Sequence, residues 1–324
     1  MSKVLVVINN SYHIRELLRL ELGSEITVLA ICHNLKIKDL EKINYSKCLL
    51  IPDPVKLRSL DLFKLNKYRN QISDLIDSEE FNDLILFSEY EPFNHYVAYR
   101  AYEKKGIKST LSEDGGMASY IPNLVREPSP KIRDKFKNFV YSFILGIKGS
   151  TLFSIGHETF FRLNNKVVKR IIYTKPVPIK RQVQVEYKNL KIKERKGSSD
   201  EILLLNQPFL NNLKEHENIL LNFVRQLLSE FKVVHLKFHP RDPIDFQKSV
   251  VSKIHSKRLN ILETKINIEE LHSKMNFKYV TGFYTAALLS YLDLGFIVKF
   301  EPNRLGFINK DLMGYIKEVV NHIN

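Results

Sequence analysis

A chain of 324 residues is too long for one ordinary hydrophobic core and fits two domains of about 150 residues each. Its 44% hydrophobic and 27% charged residues exclude a disordered chain, two cysteines exclude a disulfide framework, and no apolar stretch reaches the ~18 residues of a membrane-spanning helix. The net charge of +14, with a pI near 9.5, favours anionic partners: nucleic acid, acidic lipid or a negatively charged substrate.

The opening MSKVLVVINNSYH holds an apolar run too short for a secretory leader and reads as a first strand over 3–8. A helix over 13–22, strands over 25–32 and 47–52, a helix over 62–78, a strand over 83–88 and a helix over 93–106 follow. Gly106 stops that last helix, and IKSTLSEDGG then runs as a strand into Glu113-Asp114-Gly115-Gly116. The two cysteines, Cys32 and Cys48, suggest a reducing compartment, and both lie in or beside apolar runs, as buried structural thiols do. Residues 131–148, KIRDKFKNFVYSFILGIK, are basic in their first half and apolar in their second. They fit a helix packed between domains or an interfacial helix on an anionic membrane. Residues 151–163 are strand-like again.

Residues 169–196 carry ten Lys or Arg against two Glu, and Pro176 and Pro178 bar a helix there, so 169–200 reads as a basic connector. A second series follows, with strands over 201–209, 232–240, 259–263, 277–282 and 296–301. Helices over 216–231, 267–275 and 284–295 lie between them, and a final helix covers 307–324. Alternation of this kind means βαβ units and parallel sheets. The expected organisation is an N-terminal lobe over 1–168, the connector over 169–200, a C-terminal lobe over 201–306 and the terminal helix over 307–324. That α/β profile resembles the GT-B glycosyltransferases, and the resemblance implies two Rossmann-like lobes whose parallel sheets face a central cleft, the N-terminal lobe on the acceptor side and the C-terminal lobe binding the nucleotide-sugar. G-x-G-x-x-G is absent, which argues against a dinucleotide fold, and the missing leader argues against a periplasmic binder.

Three features fall at strand ends, where open α/β sheets bind ligands. In Glu113-Asp114-Gly115, one carboxylate can take a proton from a hydroxyl while the other supports it, and the glycines let the chain turn; an Asp-Gly surface turn explains the same residues. In KFHPRD, His239 can hold a phosphate oxygen or donate a proton, Pro240 fixes the chain direction, and Lys237 and Arg241 add positive charge. In VTGFYTAALLSYLDLG, a strand ends at Gly282 and a helix begins near Tyr284 or Thr285, offering N–H groups and a hydroxyl to a phosphate; an ordinary Thr cap is the plainer reading.

Taken together and in this order, the three features resemble the bacterial GT-B sialyltransferases: glycosyltransferase family 52 and the bacterial polysialyltransferases. Glu113-Asp114-Gly115 matches their acid-acid-Gly motif, His239-Pro240 their His-Pro motif, and Tyr284-Thr285 occupies their paired Ser/Thr motif. LLLNQP resembles the family's first C-terminal strand, running into Gln207-Pro208. The resemblance implies inverting transfer of sialic acid from a CMP-sialic acid donor to a sugar hydroxyl. It implies Asp114 as general base with Glu113 in support, His239 and Thr285 on the CMP phosphate, Gln207 in the nucleotide pocket and Glu269, with Glu270 a close rival, on the ribose hydroxyls. Tyr284 departs from the motif, being bulkier than Ser or Thr, and leaves room for CMP-Kdo as donor.

The composition agrees with that chemistry. No Asp-x-Asp motif and no Cys/His cluster at ligand spacing occurs, so no metal and no cofactor is expected. The expected partners are the CMP-sugar donor, a glycan acceptor that can be lipid-linked, and an anionic membrane touched peripherally from the cytoplasmic side. A UDP-sugar transferase is the alternative of the same class. A basic nucleic-acid-binding protein is the alternative of another, and it lacks any recognisable motif, so no nucleic acid is expected.

Overall fold

The computed structural model describes residues 2–51, 62–89, 91–113, 125–126, 132–148, 151–155, 158–174, 182–188, 194–207, 212–264, 266, 271, 275–283 and 285–305. It divides into two units, Met1–Asn189 and Leu190–Asn324.

The first unit runs β1 (Lys3–Asn10), α1 (Ser11–Arg19), β2 (Glu25–Asn34), a 3₁₀ turn (Ile37–Lys42), β3 (Lys47–Ile51), α2 (Leu62–Ser78), β4 (Asp83–Leu86), α3 (Pro92–Lys105) and β5 (Ser109–Leu111). It continues through β6 (Val125–Arg126), α4 (Ile132–Leu145), β7 (Thr151–Ile155), β8 (Glu158–Arg162), β9 (Val168–Tyr173) and β10 (Gln184–Tyr187). Seven strands form one parallel sheet in the order β10-β9-β5-β4-β1-β2-β3, so the winding reverses between β1 and β4. Strands β6, β7 and β8 form a small antiparallel sheet.

The apolar run of β1 has a direct cause. Leu5 and Val7 join one core with residues of α2, α3 and α4, while Val4, Val6 and Ile8 join another with residues of α1 and the 3₁₀ turn. A strand buried on both faces has no polar alternation to show. Helix α1 begins two residues before the expected 13, because the Asn10 side chain caps it by accepting the His13 N–H (3.0 Å). Cys32 and Cys48 are half-buried thiols that form no disulfide.

The second unit contains β11 (Ser198–Leu205), α5 (Leu213–Glu230), β12 (Val233–Lys237), α6 (Ile244–Ser252), β13 (Leu259–Leu262), β14 (Phe277–Gly282), α7 (Ala286–Asp293) and β15 (Ile297–Phe300). Its five strands are parallel, ordered β13-β12-β11-β14-β15, and reverse between β11 and β14. Ile202 and Leu204 face α5 and α6, and Leu203 and Leu205 face α7.

Three expectations change. The stretch 169–200 is not simply a connector: β9 and β10 are strands of the first sheet, and the start of β11 belongs to the second. Val168 and Ile171 of β9 are buried, while Lys169 and Arg170 form ion pairs with Asp83 (3.4 Å) and Glu186 (3.1 Å), so the basic composition masked the strand. Helix α4 packs within the first unit, its Tyr141 and Leu145 in the same core as residues of α2 and α3. Helix α6, read as no element from IDFQKSVVS, forms despite its β-branched residues because Phe246 and Val250, one turn apart, reach the core. The helix expected over 307–324 and most of that over 267–275 lie outside the described residues.

Gly282 ends β14 where it pairs with Leu205, and a Cβ there would lie 2.7 Å from the Leu205 carbonyl oxygen. Backbone cannot yield as a side-chain tip can. Gly282→Ala is expected to destabilise the second unit by about 1–3 kcal/mol, read from its urea midpoint.

Candidate active site

In the first unit, Glu113 follows β5 and is only 1% exposed. Its Oε1 accepts the Thr174 N–H (2.6 Å) and the Thr174 hydroxyl (2.7 Å), and its Oε2 accepts the Tyr12 hydroxyl (3.2 Å). Tyr12 lies in α1, beyond the end of β1, and Thr174 directly follows β9. One carboxylate therefore ties together the C-terminal ends of three strands. The Arg15 guanidinium stacks on the Tyr12 ring, 4.5 Å from its centroid, which holds that ring in place. At the reversal between β1 and β4, buried Asn9 and Asn94 exchange two amide hydrogen bonds (3.2 and 2.9 Å), and Asn94 also donates to the Ser88 carbonyl (2.8 Å).

In the second unit, the His239-Pro240-Arg241-Asp242 turn follows β12. The His239 N–H donates to Asp242 Oδ2 (2.7 Å) and the Asp242 N–H returns to the His239 carbonyl (2.9 Å). The same Oδ2 accepts from Asn206 Nδ2 (2.8 Å) at the end of β11, and Asn206 Oδ1 in turn faces His216 Nε2 of α5 at 2.9 Å. With its Oδ1 an acceptor, Asn206 fixes the proton of His216 on Nε2. The Arg241 N–H donates to His239 Nδ1 (3.0 Å), so the neutral His239 ring carries its proton on Nε2.

Burial is the first cause that holds His239 below the ordinary imidazole value of 6.5; the charge of Arg241 and then Lys237 adds to it, and Asp242 opposes. Lys237 is itself buried, its pKa lowered by that burial, and its Nζ donates to the Thr264 carbonyl (2.9 Å). Thr285 caps α7 by accepting the Ala287 N–H on Oγ1 (3.3 Å), which leaves the hydroxyl proton to donate elsewhere. Gln207 Oε1 is buried and accepts no hydrogen bond among the described residues.

The model of one protein family, described as Alpha-2,8-polysialyltransferase (POLYST), matches residues 5–294. The chain belongs to that family. It is accordingly a glycosyltransferase of the sialyltransferase kind. No curated protein matches the chain significantly. Among solved structures it is similar to Phytolacca americana UGT2 complexed with UDP-2fluoro-glucose and pterostilbene, at 9% identity and a TM-score of 0.54 over 97% of this chain and 82% of that one. It is also similar to S. aureus MnaA with UDP, at 12% identity and 0.52 over 100% and 93%. A third is the UDP-GlcNAc 2-epimerase from Neisseria meningitidis bound to UDP-GlcNAc, at 10% identity and 0.51 over 98% and 91%. These likenesses show the fold, which is GT-B with two parallel-sheet α/β units.

Within this sialyltransferase-family chain, the structure brings Gln207, His239, Pro240, Gly282 and Thr285 to the C-terminal edge of one sheet and Glu113 to that of the other. Asp114, Gly115, Gly116, Pro208, Glu269, Glu270 and Tyr284 lie outside the described residues. Gly282 is required by close strand approach, independent of any ligand. Sequence reasoning passed over Tyr12 and Thr174, which hold Glu113, and Asn206, Asp242 and His216, which hold the His239 turn. Two signals were available: an Asp three residues after His239, as a side-chain-closed turn needs, and the polar run NNSYH directly after a buried strand.

His216 also lies below 6.5, burial outweighing the opposing charge of Asp242. Both histidines take up a proton less readily in the folded unit than in the unfolded chain. Stability is therefore intact above pH 6.5 and falls as pH drops through the lowered folded values. Urea midpoints between about pH 7.5 and 5.5 should decline, and His216→Gln should flatten the decline.

Glu113→Ala leaves three donors without their acceptor and is expected to cost about 3 kcal/mol, whereas Glu113→Gln keeps an acceptor for Thr174 and costs about 1 kcal/mol, both read from denaturation midpoints.

Proposed function

We propose that the chain transfers sialic acid from CMP-sialic acid to a hydroxyl of a bacterial surface glycan: lipooligosaccharide, O-antigen or capsule. The transfer inverts the anomeric carbon and uses no metal. The acceptor hydroxyl attacks that carbon, its proton passes to Asp114, and the bond to the phosphate oxygen breaks as CMP departs with the electron pair. Glu113 is spent on three hydrogen bonds, which supports a positioning role and leaves Asp114 as the base. Gly115 follows it in sequence and completes the acid-acid-Gly motif.

The observation that carries this reading is the state of His239. Its Nδ1 is engaged by Arg241, its Nε2–H is free of that contact, and its lowered pKa keeps it neutral near pH 7. A neutral N–H donor suits the phosphate of CMP, which leaves as a weak base once fixed donors offset its charge and needs no proton. Pro240 holds the turn, and the Thr285 hydroxyl with the N-terminus of α7 adds donors to the same phosphate. Tyr284 stands beside them in sequence. Gln207 Oε1, an orphaned acceptor, suits an amino or hydroxyl donor of the nucleotide, and Glu269 suits the ribose hydroxyls. The reading puts the chain in the cytoplasm, at the inner membrane face where a lipid-linked acceptor lies.

A thermal-shift comparison of CMP, UDP, GDP and ADP tests the donor: stabilisation by CMP is expected, and stabilisation by UDP instead overturns the assignment. Asp114→Asn should leave the melting temperature unchanged and lower transfer from CMP-sialic acid to a galactoside by at least ~100-fold. Equal rates would remove Asp114 as the base.

A further inference from the structure

Helix α4 has two apolar faces. One buries Tyr141 and Leu145 in the core of the first unit. On the other, Ile132, Phe136, Phe139 and Phe143 are 87%, 65%, 66% and 78% exposed. Their spacing of four, three and four residues puts them in one row, and an advance of about 100° per residue sets that row opposite Tyr141 and Leu145. The rings of Phe139 and Phe143 stack, with centroids 6.2 Å apart. Single exposed apolar residues are ordinary on a protein surface; a continuous ridge marks a contact. The ridge is presented ready-formed, because the Arg69 guanidinium of α2 donates to the Ile144 carbonyl (2.9 Å) and pins the end of α4.

Charge selects the partner. Exposed Arg133 and Lys135 fall on either flank of the ridge, and residues 131–148 hold five Lys or Arg against one Asp. An apolar ridge between cationic flanks matches the headgroup boundary of an anionic bilayer, where the phenyl rings reach the acyl region and the basic groups meet lipid phosphates. A second copy of the chain would set the same cationic flanks against each other. No helix among the described residues is long and apolar enough to cross a membrane.

We propose that α4 is an in-plane anchor that docks the chain on an anionic membrane through Ile132, Phe136, Phe139 and Phe143. This deepens the inner-face placement given above. Its test uses neither donor nor acceptor, so its failure is distinguishable from failure of the transferase reading.

Flotation of the full chain with vesicles of phosphatidylcholine, alone or mixed with phosphatidylglycerol, reads the contact directly. The parent should float with the mixed vesicles, and Phe136→Ser/Phe143→Ser should lose at least ~10-fold in bound fraction while keeping its circular dichroism and melting temperature, since both rings are exposed. Arg133→Gln/Lys135→Gln, which alters no apolar contact of the ridge, should lose the preference for the mixed vesicles. Flotation of the phenylalanine variant equal to the parent overturns the proposal, as does a parent that floats with neither vesicle. A parent dimer that the phenylalanine variant converts to monomer, with flotation unchanged, identifies the face as a self-interface and overturns it too.

Discussion

A parallel sheet covered by helices on both faces buries nearly every strand residue, so polar groups able to do chemistry are confined to where strands end. Both units obey this constraint. In the first, Val4 to Ile8 divide between two cores, and the chain becomes polar at Asn9 and Asn10. In the second, Ile202 to Leu205 divide likewise, and Asn206 and Gln207 follow. Glu113 and His239 lie at these edges, where the chain leaves the strand and a buried polar group can find partners in the adjoining turns.

Being at an edge does not orient a side chain, and each unit solves that with a buried hydrogen-bonding residue. Glu113 joins three strand ends through Tyr12 and Thr174. Asp242 closes the His239 turn on itself and fastens it to Asn206, which is fastened to His216. Buried polar groups of this kind rigidify when every member is satisfied, and the cost of breaking one is high. The same burial lowers the pKa of His216 and His239 and so couples the geometry of the turn to a defined tautomer.

Much of the fold was legible locally. KVLVVI, EILLLN and FKYVTG read as strands, and their alternation with helices implied parallel sheets. Composition misled at 169–200, where Lys169 and Arg170 belong to a strand that buries Val168 and Ile171. It misled again at α6, where β-branched residues hid a short helix anchored by Phe246 and Val250. Of the candidate site, Glu113, His239 and Thr285 were visible as types of residue at strand ends, while the groups that hold them were not.

The sequence by itself determined the two α/β series, the order of the three motifs and the basic charge, because hydrophobic period and turn chemistry are local properties. Only the tertiary structure decided which residues meet. Tyr12 reaches Glu113 across 101 positions and Thr174 across 61, and Asn206 reaches Asp242 across 36. Such pairings follow from strand order, which no local pattern encodes. The structure likewise decided that Tyr141 and Leu145 are the buried side of α4 and the phenylalanine ridge the open one, since a helix apolar on two faces does not say which of them the core will take.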